Sequence, residues 1–431
     1  MRFPYAEVQF DSTGSVHDQD EQRHAVETIA AAGVTDVLVL AHGWNNDIPA
    51  ARAFYRQLTD NLAEVRPTVP AAANVRLAVV GVLWPAIRWA DPGMIAGGGA
   101  AVADPESVLR VEIREKVSDP GTADRLDALL PELETSPQAR AEFLGLLRSL
   151  IPRGTDDEDG PPPALMEGDA EDVFETAGRP NLIFGGPERA GGATALGGGP
   201  ASEGGPEGEG GMAGLGFPRP LLQAARNLLN TTTYFTMKER AGQVGSIGVA
   251  GLLDAVRTRA PGVRRHLAGH SFGARLVSAA ALRHAPVHSI TLLQGAFSHH
   301  GFATDYDGAG HRGFFRPVLD AGRLTGPLVV THTARDLAVG VAYAIVSRLA
   351  GQRAAGLPGG PDDPYGGIGR NGAMKTSQVT RPPERLLPVG DGYAFTGGRV
   401  YNLLSDSFIT SHSDVAGREV ANALLHAICS P

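Results

Sequence analysis

The sequence predicts an α/β fold: a mostly parallel, doubly wound sheet flanked by helices and interrupted by a helical, glycine-rich cap insertion. Three observations carry this prediction. Apolar runs of strand length alternate with stretches of helical period over the first 90 residues. The runs over 37–41 and 77–83 are apolar almost throughout, as strands buried on both faces of a parallel sheet must be. The same rhythm returns at about residue 234 and continues to residue 428.

Each element has a local reason. Residues 8–10 suggest a short strand before the turn at Thr13-Gly14, and 20–32 a helix with Ala25, Ile29 and Ala30 inward and Gly33 as its stop. A strand over 37–41 precedes a helix over 48–65 that repeats Phe54, Leu58 and Leu62 at four-residue spacing. The strand over 77–83 ends at Trp84-Pro85. Beyond the insertion, 237–256 reads as helix, 263–268 as strand, 274–284 as helix and 289–293 as strand. A strand over 328–331, a helix over 337–349, a Gly/Pro-rich loop over 351–372, a strand over 399–404 and a helix over 415–428 follow.

Between Trp84-Pro85 and residue 263 the chain is far longer than one crossover helix needs. Helical patterns occur over 106–117, 123–130, 137–150 and 221–229. Residues 154–163 carry the acidic run Asp156-Asp157-Glu158-Asp159 and then three prolines, and read as flexible. Residues 185–216 are too rich in glycine to bury the apolar surface that would offset their ordering entropy. The division expected is a core of 1–90 and 234–431, with a cap or neutral insertion over 91–233 containing the glycine-rich segment.

Bulk properties narrow the class. The 431 residues are 42% hydrophobic with a net charge of -9, and no basic stripe points to nucleic acid. The single cysteine, Cys429, allows no internal disulfide. No stretch approaches a membrane span, and residues 1–7 lack the apolar core of a signal peptide. A cytoplasmic protein is the expectation.

The candidate chemistry centres on Leu267-Ala268-Gly269-His270-Ser271-Phe272-Gly273-Ala274. This pattern reads as a serine on a sharp, strained turn between strand and helix, where small residues two positions to either side let the two elements approach. A serine hydroxyl is a poor nucleophile until a base takes its proton and a third group orients that base. In such a sheet those groups lie on loops beyond the C-terminal ends of strands. Asp336 follows the strand over 328–331 and suits either the acid or an N-cap of the next helix. Asp305 and Asp307 are rivals within a glycine-bearing turn. His412, on the loop before the last helix, is placed as the base, and Asp414 is suited to starting that helix. The N–H groups of Phe272, next to the nucleophile, and of Trp44, in the loop His42-Gly43-Trp44-Asn45, are the expected oxyanion donors. His42, Gly43, His270 and Phe297 are expected to border the substrate, and Trp84 and Trp89 to line a pocket or pack against the cap. His299, His300 and His311 lack the spacing of a metal site, so no metal is expected.

Taken with Leu40-Ala41-His42-Gly43-Trp44, Trp84-Pro85, Thr331-His332-Thr333-Ala334-Arg335-Asp336 and Ser411-His412-Ser413-Asp414, the GHSFG elbow makes the chain resemble the α/β-hydrolase superfamily. It looks closest to esterase-like serine hydrolases with an H-G-[YW]-N loop. The resemblance spans 1–90 and 234–431 and leaves the insertion unmatched. It implies cleavage of an ester, thioester or amide without a metal or organic cofactor, and leaves the substrate open. The expected activity is carboxylesterase- or lipase-like hydrolysis of a small ester or acyl substrate through Ser271, His412 and Asp336. Acyl transfer or peptide cleavage by the same residues, and a binding protein with no turnover, are the alternatives.

Overall fold

The computed structural model describes residues 2–431 other than 32, 45, 87–103, 153–157, 180–219, 284–285, 337–359 and 382–383. The chain opens with β1 (Tyr5–Gln9), α1 (Gln19–Ala30), β2 (Asp36–Ala41), α2 (Ile48–Val65) and β3 (Leu77–Leu83). A helical stretch follows: α3 (Pro105–Lys116), α4 (Pro120–Leu129), α5 (Pro137–Leu150), α6 (Pro163–Glu167), α7 (Ala170–Gly178), α8 (Pro220–Gln243), a π-helical segment (Val244–Val249) and α9 (Ala250–Arg259). The remainder is β4 (Arg264–His270), α10 (Phe272–Arg283), β5 (Ser289–Leu293), α11 (Arg316–Asp320), β6 (Leu328–His332), α12 (Ile368–Asn371), β7 (Glu384–Arg385), β8 (Val400–Leu404) and α13 (Arg418–Cys429).

All eight strands run parallel in the order β1-β3-β2-β4-β5-β6-β8-β7. Period-two alternation sends Val37, Val39 and Ala41 of β2 to one face and Leu38 and Leu40 to the other. The first face packs against α1, α8, α9 and α10 through Ala25, Ile29, Met237, Leu252 and Leu276. The second packs against α2 and α13 through Tyr55, Leu58, Leu62, Leu424 and Ile428. The chain is therefore an α/β fold with helices on both sides of one sheet.

The order places the site. From β2 the chain crosses to β3 on one side, then returns to β4 on the other side of β2. The helix after β2 lies on one face and the helix after β4 on the opposite face. A reversal of this kind marks the C-terminal ends of β2 and β4 as the place where ligands bind in sheets of this class.

Several local expectations shift. The first strand begins earlier than 8–10, because Tyr5 and Ala6 already pair with Val79 and Val80. On α2, Tyr55 is the buried residue and Phe54 only half-buried, and Asp47 caps the helix by accepting the Ala50 N–H. The helix expected over 221–229 runs unbroken to Gln243, across the 233/234 boundary. Its threonines are accommodated because Thr231, Thr233 and Thr236 donate to the carbonyls of Asn227, Leu229 and Thr232, one turn back. Glu158 and Asp159 are not part of a solvated run: Asp159 is 2% exposed, and Glu158 accepts the Phe314 N–H. The helix expected over 337–349, the glycine-rich segment over 185–216 and Trp89 lie outside the described residues. Among the described residues, no helix is long and apolar enough to cross a membrane.

Candidate active site

Ser271 follows β4 directly and precedes α10, in the left-handed region at φ 57°. A side chain is rarely tolerated there, so the surroundings must hold it. They do so through three backbone bonds: Ser271 N–H donates to Leu293 O at 3.0 Å, and its carbonyl accepts from Ala274 and Ala296. The flanking glycines are required by space. A Cβ on Gly269 would lie 2.1 Å from Gly273 O, and one on Gly273 would lie 2.3 Å from Ala41 O. The elbow is thus pressed both onto its own helix and onto β2.

The loop after β2 lies against this elbow. β2 and β4 are in register with Ala41 opposite Gly269, so the next residues, His42 and Gly43, run beside His270 and Ser271. A Cβ on Gly43 would fall 2.8 Å from Ser271 Cβ and 2.9 Å from His270 Nδ1. The Trp44 and Phe272 rings meet edge to face with centroids 5.7 Å apart. Phe272 begins α10, so its N–H has no carbonyl of an earlier helical turn to bond. The helix dipole adds positive potential at that point.

His42 braces the loop from below. Its N–H donates to Tyr55 Oη, its carbonyl accepts from Trp84 Nε1 at 3.0 Å, and its ring stacks on Trp84. Nδ1 bonds Gly43 O at 2.9 Å, and Nε2 faces the Trp84 N–H at 3.4 Å, which together select the neutral tautomer protonated on Nδ1. Burial pushes its pKa down to about 4. His42 therefore acts on the shape of the loop rather than on solvent.

Asp336 and His412 meet on the other side of the elbow. Asp336 lies four residues beyond β6, is fully buried, and accepts from His412 Nδ1 at 2.8 Å. The His412 loop is closed by Asp414, which accepts from the Thr410 N–H and hydroxyl rather than starting α13; Gly417 occupies the N-cap. It is tied to the elbow by His270, whose Nε2 donates to His412 O at 2.9 Å and whose ring centroid lies 4.9 Å from that of His412. Burial, then the neighbouring His412, lower the His270 pKa to about 3, so it stays a neutral donor. The structure thus gathers Ser271, Phe272, Gly43, Trp44, His270, His412 and Asp336. Among the described residues, no hydrogen bond joins Ser271 Oγ to the His412 ring.

Other expected residues lie elsewhere. Phe297 is fully buried between Phe302 and Phe315. Asp305 accepts the Gly308 and Gly310 N–H groups and Asp307 pairs with His311, all on an exposed turn. His299 and His300 are buried side by side, with the His300 ring stacked on Tyr306 of that turn. Among the described residues, no group of three or more His, Cys, Asp or Glu side chains is arranged to hold a metal.

Two features were not legible in the sequence. Gln294, at the end of β5, has φ 44° and reaches Asp336 Oδ2 at 3.4 Å and Gly369 O at 3.0 Å through its amide nitrogen. Its positive φ is unannounced because glutamine, not glycine, holds the left-handed position, the glycine being the next residue, Gly295. The second is another Ser–His–Asp array at the opposite end of β4. His266 Nε2 bonds Asp36 Oδ1 at 2.9 Å, and its Nδ1 bonds Ser289 Oγ at 2.7 Å. Arg264 Nε sits 2.8 Å from the same Asp36 oxygen. Burial would raise the Asp36 carboxyl, but the bonds from His266 and Thr35 hold it below its ordinary value. Register makes His266 and Ser289 cross-strand partners, a relation visible only once β4 and β5 are paired.

No family model, curated protein or solved structure matches the chain.

Proposed function

We propose that this chain is a serine hydrolase of the α/β-hydrolase kind that cleaves a carboxylic ester or thioester through an acyl-enzyme. The observation that carries the reading is the strained Ser271, set at the C-terminal ends of β2 and β4 beside a buried His412–Asp336 pair. Asp336 engages Nδ1 of His412, which leaves Nε2 to take the Ser271 proton. Oγ then attacks the carbonyl carbon. The oxyanion faces the Phe272 and Trp44 N–H groups, each such donor contributing about 3 kcal/mol in comparable sites. Collapse expels the alcohol or thiol, which takes its proton from His412. Water, deprotonated by His412, attacks the acyl carbon and releases the acid and Ser271. No cofactor enters this sequence. In this reading α3 to α7 and the first half of α8 form the cap, 91–233, over the 1–90 and 234–431 core.

Ser271→Ala is expected to abolish hydrolysis of short nitrophenyl esters and labelling by a fluorophosphonate probe, with the thermal midpoint little changed. Equal labelling of variant and parent sinks the proposal. A binding protein without turnover is the second reading, favoured by the missing Ser271–His412 hydrogen bond; apo sites often show such bonds long, so labelling decides.

A further inference from the structure

Asp159 belongs to a stretch whose composition reads as solvated, yet its carboxylate is buried beside Lys238, Tyr234 and Ser298. Lys238 Nζ lies 3.6 Å from Oδ2 and also donates to the Asp159 carbonyl. Tyr234 Oη donates to Oδ2 at 3.4 Å, and the Ser298 N–H donates to it at 3.1 Å. A buried carboxylate demands such partners, since without them its lost hydration is uncompensated.

Those partners lead to both halves of the candidate active site. The Tyr234 ring packs on Phe272 with centroids 5.2 Å apart, and Phe272 is the residue after the nucleophile. Ser298 sits on the segment that leaves β5. There Gln294 touches Asp336 and the Ala296 N–H donates to Ser271 O. Lys238 itself is held from α10, whose Arg275 Nε donates to its carbonyl. α8 presents this polar side as a stripe at helical spacing. Asn227 donates to Ala177 O, Asn230 accepts from Lys116, and Tyr234 and Lys238 meet Asp159. Ala177, Lys116 and Asp159 all lie in residues 105–178, the stretch between β3 and α8.

We propose that Asp159 is a positioning residue for the reaction at Ser271, acting through Tyr234 on Phe272 and through Ser298 on the segment behind Asp336. The insertion thereby sets the geometry of the oxyanion donor as well as covering the core. This rests on the serine-hydrolase reading. A buried ion pair contributes little net stability compared with apolar residues of similar volume, whereas a polar contact of defined direction fixes where two surfaces meet.

The experiment compares the full-length parent with Asp159→Leu/Lys238→Met, which replaces the pair without stranding a charge, and with Tyr234→Phe, which removes only the hydroxyl. Each variant's thermal midpoint is measured first. The second-order rate of Ser271 labelling by a fluorophosphonate is expected to fall tenfold or more in the double variant and about threefold in Tyr234→Phe. With a short nitrophenyl ester, kcat is expected to fall while KM changes less than twofold, a split that a merely structural role would not produce. Parent-like labelling and kcat in folded Tyr234→Phe overturn the proposal, whether or not the double variant folds. A parent that shows no Ser271-dependent labelling overturns the hydrolase reading and this proposal with it. Parent labelling with unaffected variants overturns this proposal alone.

Discussion

His42 offers a measurement of the loop that carries Gly43 and Trp44. Its folded pKa of about 4 lies below the ordinary 6.5 because burial disfavours the imidazolium, the bond to Gly43 O opposing this only in part. A depressed histidine means that the unfolded chain takes up the proton first. Its contribution to stability is therefore complete above pH 6.5 and is lost as pH falls toward 4. At pH 5.5 the unfolded histidine is protonated about ten to one, which favours unfolding by about 1.4 kcal/mol; at pH 7.5 the same contribution is about 0.1 kcal/mol. Between those pH values His42 alone should remove about 1.3 kcal/mol. His270, lowered to about 3, loses a similar amount over the same interval.

The assay is urea unfolding of the parent and of His42→Asn at pH 7.5 and pH 5.5. The asparagine amide nitrogen can take the place of Nδ1 toward Gly43 O but does not titrate. The variant starts from a lower stability because it gives up the stack on Trp84. The informative quantity is the change with pH, which should be smaller in the variant by about 1.3 kcal/mol at an unchanged m-value. The same pH-dependent loss in both proteins, to within about 0.3 kcal/mol, would refute a neutral, buried His42 and the loop conformation built on it.

Two further outcomes test the placement of the site. Ser289→Ala removes the hydroxyl bonded to His266 Nδ1 and should lower stability by about 1–3 kcal/mol in urea unfolding, while Ser271 labelling proceeds at the parent rate. Gly43→Ala puts a methyl within 2.8 Å of Ser271 Cβ and must push the loop away from the elbow. We expect kcat on short nitrophenyl esters to fall at least tenfold, with a stability cost of about 1–3 kcal/mol; a parent-like kcat would remove the loop from the site.

What the sequence made legible follows from which interactions are local. Strand and helix positions in β2, α2, β3, α5 and β5 rest on apolar period alone, and the structure places them within a residue of expectation. The strained serine was legible because two glycines announce the close approach that its turn requires. Gln294 carries a comparable backbone strain flanked by a single glycine, Gly295, and its support comes from Thr331 and Gly369, 37 and 75 residues away. Asp159 was concealed by its neighbours. Four consecutive acids predict solvation unless a buried cation is known to wait for one of them, and Lys238 lies 79 residues further on. The middle of α8, 230–236, was hidden by Thr231-Thr232-Thr233, residues of modest helix propensity. Their hydroxyl bonds and the docking of α3, α7 and Asp159 outweigh that preference.

Among the described residues, Ser, His and Asp side chains gather at both ends of β4, and under the proposed function hydrogen bonding alone would select the wrong set. Ser289, His266 and Asp36 are fully connected, whereas Ser271 is not bonded to His412. Chemistry at a serine needs more than a base. Ser289 lies inside β5 with no exposed surface, so a substrate carbonyl has no approach. Its Asp36 is also engaged by Arg264, which spends part of that carboxylate's field on a guanidinium instead of on an imidazolium. At the other end of β4, Ser271 heads α10, whose first N–H groups and dipole would, in the proposed hydrolysis, favour the negative charge of the intermediate. Parallel strands followed by helices place helix N-termini beyond the C-terminal ends of the strands and helix C-termini beyond the opposite ends. The polarity of the sheet therefore assigns the two arrays different work. The first closes the sheet at its N-terminal edge, and in the proposed function the second is where an acyl group would be attacked.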